Sequence, residues 1–271
     1  MILPWTLDPD TLRLTAFLAG FLLLAAAEQA WPRRRLTVSK PHRWAINLTL
    51  VAVDTLVVRL LFPLAPFALA AQAQGWGLLA LLPLPAWLEA TIGLLALDLL
   101  IYGQHRLFHR TPFLWRIHRL HHTDLDLDVS SGTRFHPLEI ILSMAIKLGA
   151  VVLLGISPLA VLLFEIILNA TSMFNHANLQ IPLTMDQRLR LLLVTPDMHR
   201  VHHSILPPET NSNFGFNLSC WDRLLGTYQA QPREGHDRMR IGLKQWRDQE
   251  ELGLWQLFKL PFVDPVRRKV P

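Results

Sequence analysis

Three short strings gather eight histidines: His105-Arg106-Leu107-Phe108-His109, His118-Arg119-Leu120-His121-His122 and His199-Arg200-Val201-His202-His203. Residues three or four apart share one face of a helix, so His105 pairs with His109. By the same spacing His118 converges with His121 and His122, and His199 with His202 and His203. Neutral imidazole is a good ligand for iron, zinc, copper and nickel. Eight imidazoles exceed the needs of one ion, and a binuclear metal centre is the economical reading. His176, in Phe174-Asn175-His176-Ala177-Asn178, is a candidate ninth ligand. His136, in Arg134-Phe135-His136-Pro137, is open between a ligand, a hydrogen-bond donor behind the ligands and a lipid-headgroup contact. His42, beside a basic loop, and His236, near the C-terminus, are read as non-catalytic.

Other chemistries are scarce. The single Cys220 rules out an internal disulfide framework, and without a CxxC pair neither a zinc ribbon nor a cysteine-held iron–sulfur cluster is expected. No nicotinamide or flavin fingerprint and no CxxCH haem motif is present. Only 17% of the 271 residues are charged and 51% are hydrophobic, against roughly 25% charged in a soluble domain. That composition argues against a disordered chain, a coiled coil or a nucleic-acid binder.

The elements that must carry the histidines are long apolar tracts. The first runs from about Leu12 to Trp31, long enough for a hydrocarbon core of roughly 30 Å. Its preceding Met1-Ile2-Leu3-Pro4-Trp5 lacks the basic region of a signal peptide, so a retained span is expected. A second tract covers about Trp44 to Ala70, with Asp54 and Arg59 inside it and Pro63 and Pro66 able to end or kink the helix. The third runs from about Leu78 to Tyr102, its regular helix nearer Trp87 to Tyr102. Leu138 to Leu154 and Pro158 to Ala170 form two more, divided by Gly155-Ile156-Ser157, and are read as a bent or re-entrant hairpin. Trp31, Trp44, Trp76 and Trp87 stand near tract ends, as an interfacial belt requires. Thr111-Pro112 and Thr195-Pro196 have the form of helix starts just before two of the histidine strings.

Arg33, Arg34, Arg35, Lys40 and Arg43 fill the connection between the first two tracts, and a basic connection marks the cytoplasmic side of a membrane protein. Counting crossings from there returns His105 and His176 to that same side. The expected fold class is therefore all-α, a multi-pass transmembrane helical protein with a histidine-rich cytoplasmic cap. Residues 1–232 are expected to form one integral-membrane domain with its histidine-box region at 90–230. Residues 233–271 read as a polar C-terminal tail with a short amphipathic helix around Leu252 to Leu260.

Around the histidines, Asp98 lies two helical turns before His105 and is expected to orient an imidazole; Asn175 and Asn178 are candidates for the same service around His176. Asp124, Asp126 and Asp128 are read as a solvated loop or as partners behind the ligands rather than as ligands. Arg106, Arg110, Arg116 and Arg119 either attract an acidic partner or lipid headgroups, or anchor the helices at the interface.

The three histidine strings, together with Arg134-Phe135-His136-Pro137-Leu138-Glu139, Thr210-Asn211-Ser212-Asn213-Phe214-Gly215-Phe216-Asn217 and Trp221-Asp222-Arg223-Leu224-Leu225-Gly226-Thr227-Tyr228, resemble the fatty acid hydroxylase/sterol desaturase superfamily of integral-membrane di-iron oxygenases. The resemblance covers about residues 90 to 230. It implies two iron ions held by His105, His109, His118, His121, His122, His199, His202 and His203, with His176 added, and O2 as co-substrate in attack on a C–H bond of a lipid or sterol-like substrate. Hydroxylation is the first expectation and desaturation on the same site the second; zinc can substitute in purified protein. Electrons must then come from a separate donor protein, and a bacterial inner membrane is the expected location. A more distant rival is a divalent-metal-binding or transport protein, but its ligands belong near the bilayer midplane, whereas these lie beyond the ends of the spans.

Overall fold

The computed structural model of the chain describes residues 8–264; Met1–Trp5 and the last seven residues of the tail lie outside them. Among the described residues the regular structure is helical, with isolated β-bridges and no strand. Helix α1 (Pro9–Ala30) starts where the Asp8 carboxylate caps the N–H groups of Asp10 and Thr11, with Pro9 in the first turn. Helix α2 (Lys40–Leu61) stops short of Pro63, and α3 (Pro66–Gln72) continues the second tract after the break. Helix α4 (Ala86–Arg110) is two turns longer than the apolar tract alone indicates, because its amphipathic continuation carries His105 and His109. It is followed by α5 (Pro112–His118), α6 (Pro137–Leu154) and α7 (Pro158–His176).

Five segments, Pro9–Ala30, Lys40–Gln72, Ala86–Arg110, Pro137–Leu154 and Pro158–His176, are long and apolar enough to cross a membrane, so the chain is a multi-pass helical membrane protein. The last two, of 18 and 19 residues, are about 27 and about 29 Å long at 1.5 Å per residue, which makes the expected bent or re-entrant hairpin a pair of near-full-length spans. Leu14, Leu18, Leu22, Leu23, Leu60 and Leu153 are exposed on their outer faces, where lipid replaces water. Between α4, α6 and α7 the core is closed by Leu97, Val151, Ile156, Ala160, Val161 and Phe164. At the end of the bundle away from the histidines, the turn after α3 meets the α6–α7 turn backbone to backbone. A Cβ on Gly155 would stand 2.1 Å from the Trp76 carbonyl oxygen, and Gly77 and Gly155 both hold positive φ, 90° and 71°. Only glycine meets both demands there.

The cap is assembled from short helices: α8 (Leu183–Leu189), α9 (Pro196–His202), α10 (Pro207–Thr210), α11 (Cys220–Leu224), α12 (Gly235–Arg238) and α13 (Leu254–Lys259). The short helix expected in the tail is present as α13, preceded by a 3-10 turn at Gln249–Leu252. It is not a surface appendage. Leu252, Leu257 and Leu260, carried by the 3-10 turn, α13 and the turn that follows it, are buried against Ile46, Leu50, Leu120 and Leu125. Arg119 donates to the carbonyls of Leu260 and Val263, and Arg116 to that of Pro261, 3.2 Å away. Arg116 also pairs with Asp264. Two of the four arginines left open between partner attraction and helix anchoring, Arg116 and Arg119, therefore strap the C-terminal segment onto the cap.

Candidate metal centre

Four elements deliver the imidazoles: the last turn of α4, α5 with the turn at His121–Thr123, the end of α7, and α9. Helix α9 is started by Thr195, whose hydroxyl accepts from the Met198 N–H at 3.3 Å, with Pro196 behind it. Thr111 occupies the matching position before α5 without a side-chain cap bond. The imidazoles form two groups, each with ligand nitrogens within 4.8 Å of one another: His105, His109, His118, His122 and His202 in one, His121, His176, His199 and His203 in the other. The three histidines of each HxxHH string do not stay together. Consecutive side chains on the turn diverge, so His121 and His122 enter different groups, as do His202 and His203.

Proton placement leaves these nitrogens free to bind a metal. A carbonyl oxygen only accepts, so Nδ1 carries the proton where His105 meets the Phe214 carbonyl (2.8 Å), His121 that of Arg134 (3.1 Å), His176 that of Ser172 (2.7 Å) and His202 that of Ser212 (2.7 Å). His118 Nδ1 donates to Glu139 Oε1 at 2.7 Å. Each ring then presents an unprotonated Nε2 inward. Nε2 of His105, His118 and His202 is buried without a partner. Nε2 of His176 lies 3.1 Å from Nε2 of His121, so two lone pairs face each other. It also stands 3.1 Å from the Nε2 atoms of His199 and His203. Such a contact is repulsive without a cation between the rings, and a metal ion held by these nitrogens would remove that repulsion. The residues present fit metal.

Burial keeps the rings neutral, the form that ligates. It pushes His118 down to about 3 and holds His121, His122, His199, His202 and His203 well below the ordinary imidazole range, with neighbouring imidazoles adding to the effect in those five.

His136 lies outside both groups. Its Nε2–H donates to the Phe258 carbonyl at 3.2 Å and its Nδ1 accepts the Leu138 N–H at 3.0 Å, which leaves no lone pair for a metal. It caps α6 and helps hold α13. Asp98 touches no imidazole either: its Oδ2 accepts from the Trp221 indole at 2.8 Å and the Leu218 N–H at 3.3 Å. Seven residues of helix place it about 10 Å from His105 along the axis, too far to orient that ring. Asn175 donates to the Phe216 carbonyl at 2.6 Å, and Asn178 binds the backbone of Arg34. All three tie the spans to the loops around the site.

Asp124 and Asp128 are neither solvated nor ligands. They enclose Arg43, whose Nε and Nη2 meet Asp124 at 2.6 and 2.8 Å and whose Nη1 meets Asp128 at 2.6 Å. Arg43 holds the Asp124 carboxyl well below the usual carboxylate range against the opposing effect of burial. Asp126 accepts the N–H groups of Thr37 and Val38 at 2.5 and 2.9 Å. The basic connection thus serves largely as internal fastening: Arg33 pairs with Asp197 and Asp237 in the same way.

Four supporting residues were not singled out by spacing. Glu139 receives His118. Asp222 takes the N–H groups of Phe214 and Gly215 at 2.7 and 2.8 Å, fixing the carbonyl that receives His105. Asn213, in the left-handed region at φ 52°, donates to the carbonyls of Met198 and Gln229 at 2.9 and 2.8 Å. Arg134 bridges Asn47 and Thr123 at 2.8 and 2.9 Å. Each lies in a string quoted above for its resemblance, and that was the available signal.

The ornithine lipid hydroxylase OlsE of Rhizobium tropici is 37% identical over 153 residues, 55% of this chain and 44% of that protein. Human alkylglycerol monooxygenase is 28% identical over 54% of this chain and 31% of its own length, and rat cholesterol 25-hydroxylase 27% identical over 52% and 47%. The chain thus spans less than half the length of each of these relatives. No solved structure matches it significantly. The family model for fatty acid hydroxylase matches residues 90–227, which begin in α4 and include every imidazole of both groups. On that match over half its length, the chain belongs to the fatty acid hydroxylase family.

Proposed function

We propose that the protein is a di-iron, O2-dependent hydroxylase of a C–H bond in a membrane lipid or sterol-like molecule. The observation that carries this reading is the pair of buried imidazole groups, one with lone pairs facing at 3.1 Å, at the ends of membrane-spanning helices. Two bound iron ions would supply the redox equivalents for O2 activation, which zinc lacks. The chain's own residues do the rest. His105, His109, His118, His122 and His202 hold one ion and His121, His176, His199 and His203 the other. Glu139 and the carbonyls of Phe214, Arg134, Ser172 and Ser212 keep the Nδ1 protons in place, so that each Nε2 stays basic and aimed. Burial excludes water from the reacting region.

The balance is R–H + O2 + 2 e⁻ + 2 H⁺ → R–OH + H2O, and with no nucleotide fingerprint in the chain the electrons come from a separate donor protein. Relatives named for ornithine lipid, alkylglycerol and cholesterol all act on membrane-resident molecules, which supports the substrate class. We place the protein in a bacterial inner membrane with the cap toward the cytoplasm, a reading supported by the Rhizobium relative and by the cations at that end of the bundle.

The test is accurate-mass lipidomics of membranes from cells expressing the protein or its His121→Ala variant under 18O2. A lipid gaining one oxygen, labelled from 18O2 and absent with the variant, is the expected outcome. Loss of two hydrogens without label would replace hydroxylation by desaturation, and identical lipids under normal iron loading would overturn the oxygenase reading.

A further inference from the structure

Where α1 ends and α2 begins, a cavity of about 180 Å³ opens beside the cap, lined among others by Glu28, Arg34, Arg35, Lys40, Asp128 and Asn178. Its two carboxylates are already engaged. Glu28 Oε1 accepts the N–H groups of Val129 and Asn178, each at 2.7 Å, and Oε2 faces Lys40 Nζ at 3.6 Å. Asp128 takes Arg43 at 2.6 Å and the Ser130 N–H at 2.9 Å.

The arginines are not matched in this way. Arg34 Nη1 donates to the carbonyls of His236 and Met239 at 3.3 and 3.1 Å, which use a proton without neutralising the charge, and its Nε is buried with no acceptor. Arg35 is exposed and forms no hydrogen bond or ion pair among the described residues. The cavity therefore offers uncompensated positive charge and an orphaned donor, and it calls for an anion with several acceptor oxygens. A guanidinium presents a planar fork of N–H groups suited to phosphate. Depth points the same way: Ala30 ends a span and exposed Trp31 follows it, at the level of the headgroups.

We propose that this cavity binds a phosphate group, carried by a membrane phospholipid or by a soluble phosphate ester. A bound phospholipid phosphate fastens the α1–α2 connection to the bilayer surface and so sets the height of the histidine cap above it.

The full chain, purified in a neutral maltoside, is titrated calorimetrically with dihexanoylphosphatidylglycerol, with inorganic phosphate and with dihexanoylglycerol, which lacks phosphate. Saturable binding of the phospholipid is expected, weakened about fivefold by Arg35→Gln, since one basic residue at a membrane surface contributes about that factor. Arg34→Gln with Arg35→Gln should weaken it more than twentyfold, and added salt should weaken it in the wild type. Metal content of Arg35→Gln should match wild type, which separates lost binding from lost folding. Inorganic phosphate binding as tightly as the phospholipid identifies the soluble source. Equal binding of dihexanoylglycerol, undiminished binding in the double variant, or no saturable binding of either phosphate overturns the proposal.

Discussion

The imidazole of His122 lies against that of His203, ring centroids 4.5 Å apart and planes 22° apart, although the two belong to different imidazole groups. Their sequence neighbours sort the opposite way, His121 joining His203 and His202 joining His122. Each His-His pair therefore straddles the seam between the groups, so neither HxxHH string forms a site alone.

The unequal sizes of the groups give the first expectation. His176 belongs to the group of four and touches three other Nε2 atoms, whereas His109 belongs to the group of five and is its one incompletely buried member. Removing His109 leaves as many imidazoles as a four-ligand site uses. His176→Ala should lower bound metal from about two ions per chain to about one, while His109→Ala keeps more than half of the second ion. Inductively coupled plasma mass spectrometry on folded protein measures this, and equal loss in both variants would show that the groups do not load separately.

Glu139→Gln tests the carboxylate behind His118. The amide oxygen can still accept from Nδ1, but the carboxyl group that holds His118 at 2.7 Å is replaced by a weaker acceptor. Losing such a partner typically weakens metal binding about 10- to 100-fold. Competition with a calibrated chelator should show a shift of that order, with the helical circular dichroism unchanged. An unchanged chelator midpoint would confine Glu139 to packing α6 against α5.

Asp222 acts one step further out, through the loop that offers the Phe214 carbonyl to His105. Asp222→Asn loses one of the two oxygens that receive the N–H groups of Phe214 and Gly215. A hydrogen bond to a charged group contributes about 1.5 to 3 kcal/mol. A loss of stability of that order is expected in urea or thermal unfolding, together with weaker metal binding in the five-imidazole group. Loss of stability with full metal occupancy and affinity would show that the loop does not position His105.

Much of this arrangement is legible in the sequence. The apolar tract lengths gave the spans, and the HxxxH and HxxHH spacings gathered the imidazoles at span ends. What the spacing could not reveal was the division of each His-His pair, because adjacent residues diverge by an angle that depends on where α5 ends. Asp98 was misplaced for a related reason: seven residues put a side chain on the correct face but about 10 Å along the axis. For Asp124, Asp126 and Asp128 spacing leaves both a solvated loop and a place behind the ligands open, because the partner of Asp124 and Asp128, Arg43, lies 81 residues from Asp124. Helical periodicity carries no information about such distant pairs. The tail is polar in composition, yet Leu252, Leu257 and Leu260, from three successive short elements, dock it in one apolar cluster.

His236 provides a pH test away from the ligands. It is buried against α9, 3.6 Å from Asp197, and burial, reinforced by Arg200, Arg33 and Arg190 over the opposing pull of Asp197, lowers it to about 4. An unfolded chain restores the ordinary imidazole value of 6.5. Above that pH neither state binds the proton and His236 costs nothing. As pH falls from 6.5 toward 4 the unfolded state takes up a proton that the folded state refuses, so stability is lost, by at most about 1.4 kcal/mol per pH unit. The buried ligand histidines add their own slope in metal-free protein, but it is common to wild type and to His236→Gln. The difference between the two unfolding profiles should therefore be flat above pH 6.5 and move in favour of His236→Gln below it. Because glutamine alters packing at all pH values alike, it shifts the level of that difference and not its slope. Parallel profiles from pH 7.5 to 4.5 would mean that His236 takes up its proton in the folded protein, with Asp197 accepting the resulting charge.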